Sequence, residues 1–354
     1  MNSTIMEKGT EPAKEANIRP RRKKVLPIIL LSIPALILLV LIGARIYFRL
    51  PVAQYYRHSE KAFVIPDINK GFVPQGLAYD DRSDCFFITG HMKEKSKYAS
   101  PIYVVKKSDG SCIKKLIMHE PDGGEFHGHA GGLTVHGDYI YVAGSADHCL
   151  YIFSYIEAME LKDGDSITSL GSFDMPDDLS VAYVTSDGEY LYSGEFYRTG
   201  SHKTDDSHKL TTAAGDYNQA IIYAYRFSDG ADSLFGLSLK PAKAFSVPDL
   251  VQGMEINDGK IYLSTSYGAA FSHIYVYRIP ESSRNFTVSG LTMPLYELDS
   301  ASLTDTYKFP PMSEEIVFSD GKLYTMCESA SNKYIFGKLT SAYHCYATDP
   351  GREK

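Results

Sequence analysis

The chain has 354 residues, with 36 Lys/Arg, 43 Asp/Glu, 11 His and 5 Cys, and a formal net charge of −7. Residues 1–50 hold 9 basic and 3 acidic side chains, which leaves 27 against 40 in residues 51–354. So acidic a body excludes nucleic acid as a partner and fits neutral, cationic or metal-bridged ligands better than anionic polymers.

In chain order, residues 1–24 mix charge, Pro and Gly without apolar periodicity and read as a disordered tail. Residues 25–46 read as a membrane-spanning signal-anchor helix. The 20 residues from Val25 to Ala44 carry no charge, enough for a helix to cross a hydrocarbon core of about 30 Å. Five basic residues (Arg19, Arg21, Arg22, Lys23, Lys24) precede the run and two (Arg45, Arg49) follow it. That bias predicts a cytosolic N-terminus and an extracytoplasmic remainder. A cleaved signal peptide would have a shorter apolar region and a small-x-small exit, and Leu41-Ile-Gly-Ala-Arg45 makes a poor one. Residues 47–60 read as a linker, 61–347 as one domain and 348–354 as a tail.

The domain is a repeat. Pro66, Pro121, Pro176, Pro248 and Pro310 each close an apolar strand, at steps of 55, 55, 72 and 62 residues. Four are followed by Asp and the last by Pro. After each comes an inner strand (from Gln75-Gly76-Leu77, Gly131-Gly132-Leu133, Leu179-Ser180-Val181, Gln252-Gly253-Met254 and Glu314-Glu315-Ile316), then a turn rich in Asp and Gly. A second strand is centred on an aromatic residue. A third carries Tyr103, Tyr151, Tyr223, Tyr275 or Tyr334, and a fourth ends at the next proline. Four strands per unit at this period mean an all-β fold, a β-propeller. Lys61-Ala-Phe-Val-Ile-Pro66 matches Lys243-Ala-Phe-Ser-Val-Pro248 but lacks strands before it, so it is expected to complete the last unit and close a five-bladed ring. Six blades, the alternative, would need units of roughly 47 residues. The five cysteines have no Cys-x-x-Cys pair and are expected mostly as buried thiols, with one disulfide left open.

In such a ring the starts of the inner strands and the ends of the second strands gather on one face. Gln75, Gln252, Glu314 and His91 are expected to bind ligand there. One level deeper, Gly76, Gly132 and Gly253 stand where the fifth unit has Glu315, so a carboxylate could fill the space that they vacate. His127 and His129 lie on one side if their segment is extended. With Glu315 and Glu328 they form a candidate site for one divalent cation. Glu315 and Glu195 are the candidate catalytic carboxylates. The polar insertion 197–219 is expected as a flexible flap over this face. No nucleophile elbow, phosphate-cradling loop or calcium loop is present.

The run Phe126-His-Gly-His-Ala-Gly-Gly-Leu-Thr-Val-His-Gly-Asp-Tyr-Ile-Tyr-Val, with Pro311-Met-Ser-Glu-Glu-Ile and Glu328-Ser-Ala-Ser-Asn-Lys-Tyr, resembles uncharacterised bacterial secreted or membrane-anchored propellers. These carry no established activity. More distantly the chain is similar to the gluconolactonase/paraoxonase-like propellers. That resemblance implies a tunnel-bound divalent cation and hydrolysis, although their acidic and Asn ligand set is not recognisable here. Three readings follow: a module binding a small molecule, glycan or protein through one tunnel face; a metal-dependent hydrolase of an ester, lactone or phosphoester; and a glycan-binding protein or glycosidase.

Overall fold

The repeats close into five sheets, each with four antiparallel strands at its centre. The computed structural model describes residue 9 and residues 25–281, 283–288 and 290–350. The tail expected over 1–24 therefore lies outside the described residues except for Gly9, as do residues 351–354. Residues 1–44 and 45–354 are two separate compact units. The first contains most of a 25-residue helix, Val25–Arg49, apolar and long enough to cross a membrane.

Blade 1 runs Phe72–Asp80, Cys85–Met92, Pro101–Lys106, Cys112–His119. Blade 2 runs Ala130–His136, Tyr139–Gly144, Cys149–Ser154, Gly171–Asp174. Blade 3 runs Val181–Ser186, Tyr190–Glu195, Ala220–Arg226, Lys243–Val247 and is extended by the hairpin Arg284–Val288/Leu291–Glu297. Blade 4 runs Val251–Asn257, Lys260–Thr265, Ser272–Arg278, Leu303–Phe309. Blade 5 takes Ser313–Ser319, Lys322–Cys327 and His344–Thr348 from the end of the chain and Ser59–Val64 from its beginning. Ser59 faces Thr348 and Val64 faces His344 in that closing ladder, so the ring has no open edge between first and last blades.

Two expectations are corrected. Tyr334 is not in a third strand. His344–Thr348 takes that place, and residues 328–341, dense in Ser, Asn and Gly, form a loop with two short helical turns. The segment expected as a linker is ordered: Leu50–Val52 and Ala53–His58 are helical. Val52 and Tyr55 are each 1 % exposed, and the Tyr55 ring lies 4.3 Å from that of Phe309. Tyrosine does the packing that tryptophan might otherwise do: Tyr103, Tyr141, Tyr183, Tyr192, Tyr223 and Tyr225 are all fully buried. All five cysteines are free thiols, and only Cys112 is exposed.

The five inner strands share one irregularity. Each slips register near its start, between Pro74 and Gly76, Ala130 and Leu133, Val181 and Tyr183, Val251 and Gly253, and Ser313 and Ile316. Each inner strand is also the edge of its sheet, paired on one side only, so N–H groups of its other side face the axis, and a buried free N–H needs an acceptor. Glu315, 1 % exposed, supplies it. Its Oε2 accepts from Leu77 N at 2.8 Å and Leu133 N at 3.0 Å, and its Oε1 from Val184 N at 3.3 Å. One carboxylate thus joins blades 1, 2 and 3 to blade 5. Blade 4 reaches it by close approach, since a Cβ on Gly253 would stand 2.6 Å from the Glu315 Cα. On Gly132 a Cβ would meet Glu315 Oε1 at 2.6 Å. Blade 3 aligns through Ala182-Tyr183 rather than the expected Leu179-Ser180. Gly132→Ala is therefore expected to cost about 1–3 kcal/mol by overpacking, and Glu315→Ala more, because three buried amides lose their acceptor. Urea unfolding measures both; a wild-type midpoint for Gly132→Ala would refute this account of the axis.

Candidate functional site

Above Glu315, the bulged starts of the inner strands and the exits of the second strands surround a cavity of about 780 Å³. Gln75 and Gln252 stand on the bulges of blades 1 and 4, and His129 immediately precedes the inner strand of blade 2. His91 ends the second strand of blade 1, and Glu328 follows that of blade 5. All five line the cavity. The insertion adds Ser201, His202 and Lys203, and the loops after Met92 and Glu328 add Lys95, Lys333 and Tyr334.

A hydrogen-bonded chain crosses this floor. Tyr334 donates to Glu328 Oε1 at 2.6 Å, Gln75 Nε2 donates to Glu328 Oε2 at 3.1 Å, and Gln75 Oε1 lies 2.5 Å from His129 Nε2. Because the Gln75 amide nitrogen is committed to Glu328 and Pro74 O, its oxygen accepts, and His129 carries its proton on Nε2. Lys333 Nζ donates to His91 Nε2 at 3.2 Å, which places the His91 proton on Nδ1, a buried atom with no partner among the described residues. The two imidazoles sit 4.6 Å apart. Burial, then His129, Lys333 and Lys95, pulls the His91 pKa down to about 2. Burial, then Lys95, Lys333 and His202, brings His129 to about 3. Both rings are neutral at physiological pH.

Beneath them, burial raises the Glu328 pKa against the pull of Tyr334, Lys333 and Gln75. Glu314, 2 % exposed, is raised by burial and by the Glu328 charge, and its Oε1 has no partner among the described residues. Lys95 is lowered by burial and by repulsion from Lys333. Lys95 and Lys333 thus repel each other beside neutral histidines, while burial biases the carboxyls below them toward the uncharged form.

The expected metal donors do not converge. His127 turns away from His129, its Nδ1 at 2.6 Å from Lys95 O and its Nε2 at 3.1 Å from Glu125 Oε2. Gly128 permits the turn, since a Cβ there would strike the Phe126 ring at 2.3 Å. Glu315 is committed to three amides, so only His129 and Glu328 of the four remain at the cavity. Among the described residues no group of three or more His, Cys, Asp or Glu side chains is arranged to hold a metal ion. Glu195 is fully buried and spends its oxygens on Ser180 N (3.2 Å), Ile221 N (3.0 Å) and His208 Nδ1 (2.9 Å), so it does not pair with Glu315 as a catalytic carboxylate.

His208 explains the insertion, which is anchored rather than flexible. The ring is fully buried, with Nε2 at 3.3 Å from Asp178 Oδ2, and Tyr223 donates to the same oxygen at 3.1 Å. Burial lowers the His208 pKa, but Glu195 and Asp178 outweigh it and the net shift is upward. Glu195 is also raised, by burial first. Because the folded value of His208 lies above the unfolded one of about 6.5, its stabilisation is complete below that pH and is lost as pH rises through the folded value. The stability gap between the native chain and His208→Gln is accordingly expected to be largest below about pH 6.5 and to shrink at higher pH. Urea titrations across pH measure it, and a gap that widens with pH would contradict the assignment.

Fold and site together define a five-bladed propeller with a polar cavity at one mouth of its axis. No family model matches the chain, and no curated protein matches it. Among solved structures it is similar to a luciferin-regenerating enzyme (13% identity, 82% of this chain and 95% of that one, TM-score 0.43). It is also similar to the PQQ-bound aldose sugar dehydrogenase of Streptomyces coelicolor (12%, 81% and 95%, 0.42). A third neighbour is a putative 6-phosphogluconolactonase of Bacteroides fragilis (11%, 72% and 77%, 0.35). These are likenesses of fold.

Proposed function

We propose that the protein is a single-pass membrane-anchored binding module that holds a small anion, a carboxylate or phosphate, in the axial cavity. The observation that carries this reading is the pair Lys95, half-buried, and Lys333, exposed, which repel each other beside a neutral His91–His129 pair. An anion between them relieves that repulsion, and His91 and Gln252 can add polar contacts. The described apolar side chains of the helix, such as Leu36 and Leu39 at 63 and 66 % exposed, are covered when it lies in a bilayer. The charge bias around the helix supports a cytosolic N-terminus and an extracytoplasmic propeller.

Citrate or inorganic phosphate, at ten times its dissociation constant, is expected to stabilise the full chain by about 1.4 kcal/mol. Thermal denaturation against chloride of matched ionic strength reads this, and Lys95→Met and Lys333→Met should each weaken the response. No response, or an undiminished one in both variants, would sink the reading. For topology, Cys112 is the one exposed cysteine. A membrane-impermeant maleimide should label it on intact cells and should not label Cys112→Ser; absence of labelling would reverse the orientation.

A further inference from the structure

The cavity and the place where the chain enters the propeller share two loops. One begins with Ser266 and Tyr267 on the cavity and reaches Phe271, whose ring lies 5.9 Å from Tyr47. The other begins with Glu328, Lys333 and Tyr334 on the cavity, continues through Ile335, and reaches Phe336, stacked on Phe48 at 5.8 Å. Arg45 Nη1 donates to Lys338 O at 3.4 Å. Tyr47 and Phe48 follow the uncharged run 25–44 by only three and four residues. Connectivity alone thus keeps Tyr47 and Phe48 within roughly 15 Å of Ala44 along the chain.

The rim has the composition of a lipid-contacting surface. Ile335 is 101 % exposed, Leu50 70 %, Tyr47 58 % and Tyr267 43 %. Cations lie over aromatic rings beside them: Lys308 over Phe271 at 4.9 Å, Arg49 over Tyr56 at 3.5 Å, Lys338 over Tyr343 at 5.1 Å. Aromatic residues and long cationic side chains mixed with bare aliphatics suit the boundary between headgroups and acyl chains. In a body with 40 acidic against 27 basic residues, this local excess of cations is complementary to an anionic lipid surface.

We infer that this rim rests on the bilayer, and that the anion taken by the cavity is the phosphate headgroup of a membrane lipid rather than a solute. The inference deepens the anion-binding reading above and depends on it. Exposed apolar side chains would be buried at the same surface from which Lys333 and Tyr334 lead into the cavity, so a headgroup would pass directly from one to the other.

The chain has no tryptophan, so Ile335→Trp and Tyr267→Trp each introduce a single fluorophore at an exposed position. The full chain is reconstituted in nanodiscs of phosphatidylcholine, alone or mixed with phosphatidylglycerol. Fluorescence of the Ile335→Trp chain is expected to shift to the blue and to be quenched severalfold by lipids brominated in their acyl chains. Fluorescence of the Tyr267→Trp chain is expected to change when phosphatidylglycerol is present, and the change should vanish with Lys333→Met. Absence of bromine quenching overturns the rim contact. An equal response to soluble glycerol phosphate overturns the lipid source while the anion site stands. A Tyr267→Trp signal indifferent to every anion, soluble or lipid, overturns both.

Discussion

At the axis a single carboxylate performs the task that a hydrophobic plug cannot. Each blade brings the unpaired edge of its inner strand to the centre, and in blades 1, 2 and 3 one amide of that edge faces Glu315. Those amides are too deep for water, and apolar packing would strand them. Glu315 accepts all three, and it fits because Gly132 and Gly253 stand against it without a Cβ. The carboxylate and the glycines are therefore one device, since neither works in the ring without the other. Tyr183, which replaces glycine in blade 3, is accommodated by Gly194, whose missing Cβ would stand 2.2 Å from the Tyr183 hydroxyl.

That arrangement sets the depth of the cavity above it. The bulges at the strand starts carry Gln75 and Gln252 to the cavity, and the residue before Glu315 is Glu314, whose Oε1 lacks a partner among the described residues. Two adjacent glutamates thus have unlike fates. One is consumed in holding the ring, while the other stays next to Glu328 and Lys333, close to the polar chain that ends at His129.

Much of this was legible in the residues. Proline-closed strands and aromatic-centred second strands revealed the blades, and the match of residues 61–66 to 243–248 revealed the closure. Inner-strand starts and second-strand exits placed Gln75, Gln252, His91, His129 and Glu328 around one cavity. Tyr334 was misread because Lys-Tyr-Ile mimics three residues of a third strand, while the surrounding Ser, Asn and Gly residues indicate a loop. Lys95, Lys333, His202 and His208 lie in loops, where no periodicity reports direction. Asp178 and His208 meet across a gap of 30 residues, which spacing does not encode. Net charge locates no ligand for a related reason: it sums a whole surface, whereas a ligand responds to the few charges within a screening length.

Closure by the residues nearest the anchor carries a consequence for synthesis. Ser59–Val64 emerges from the ribosome early, but its partner His344–Thr348 is made only after every other blade. Until then the last sheet lacks its third strand, and the early strand presents an unsatisfied edge. A nascent chain of this protein is thus topologically unfinished until His344–Thr348 is translated, and a stop codon just before His344 would leave the ring unbuckled.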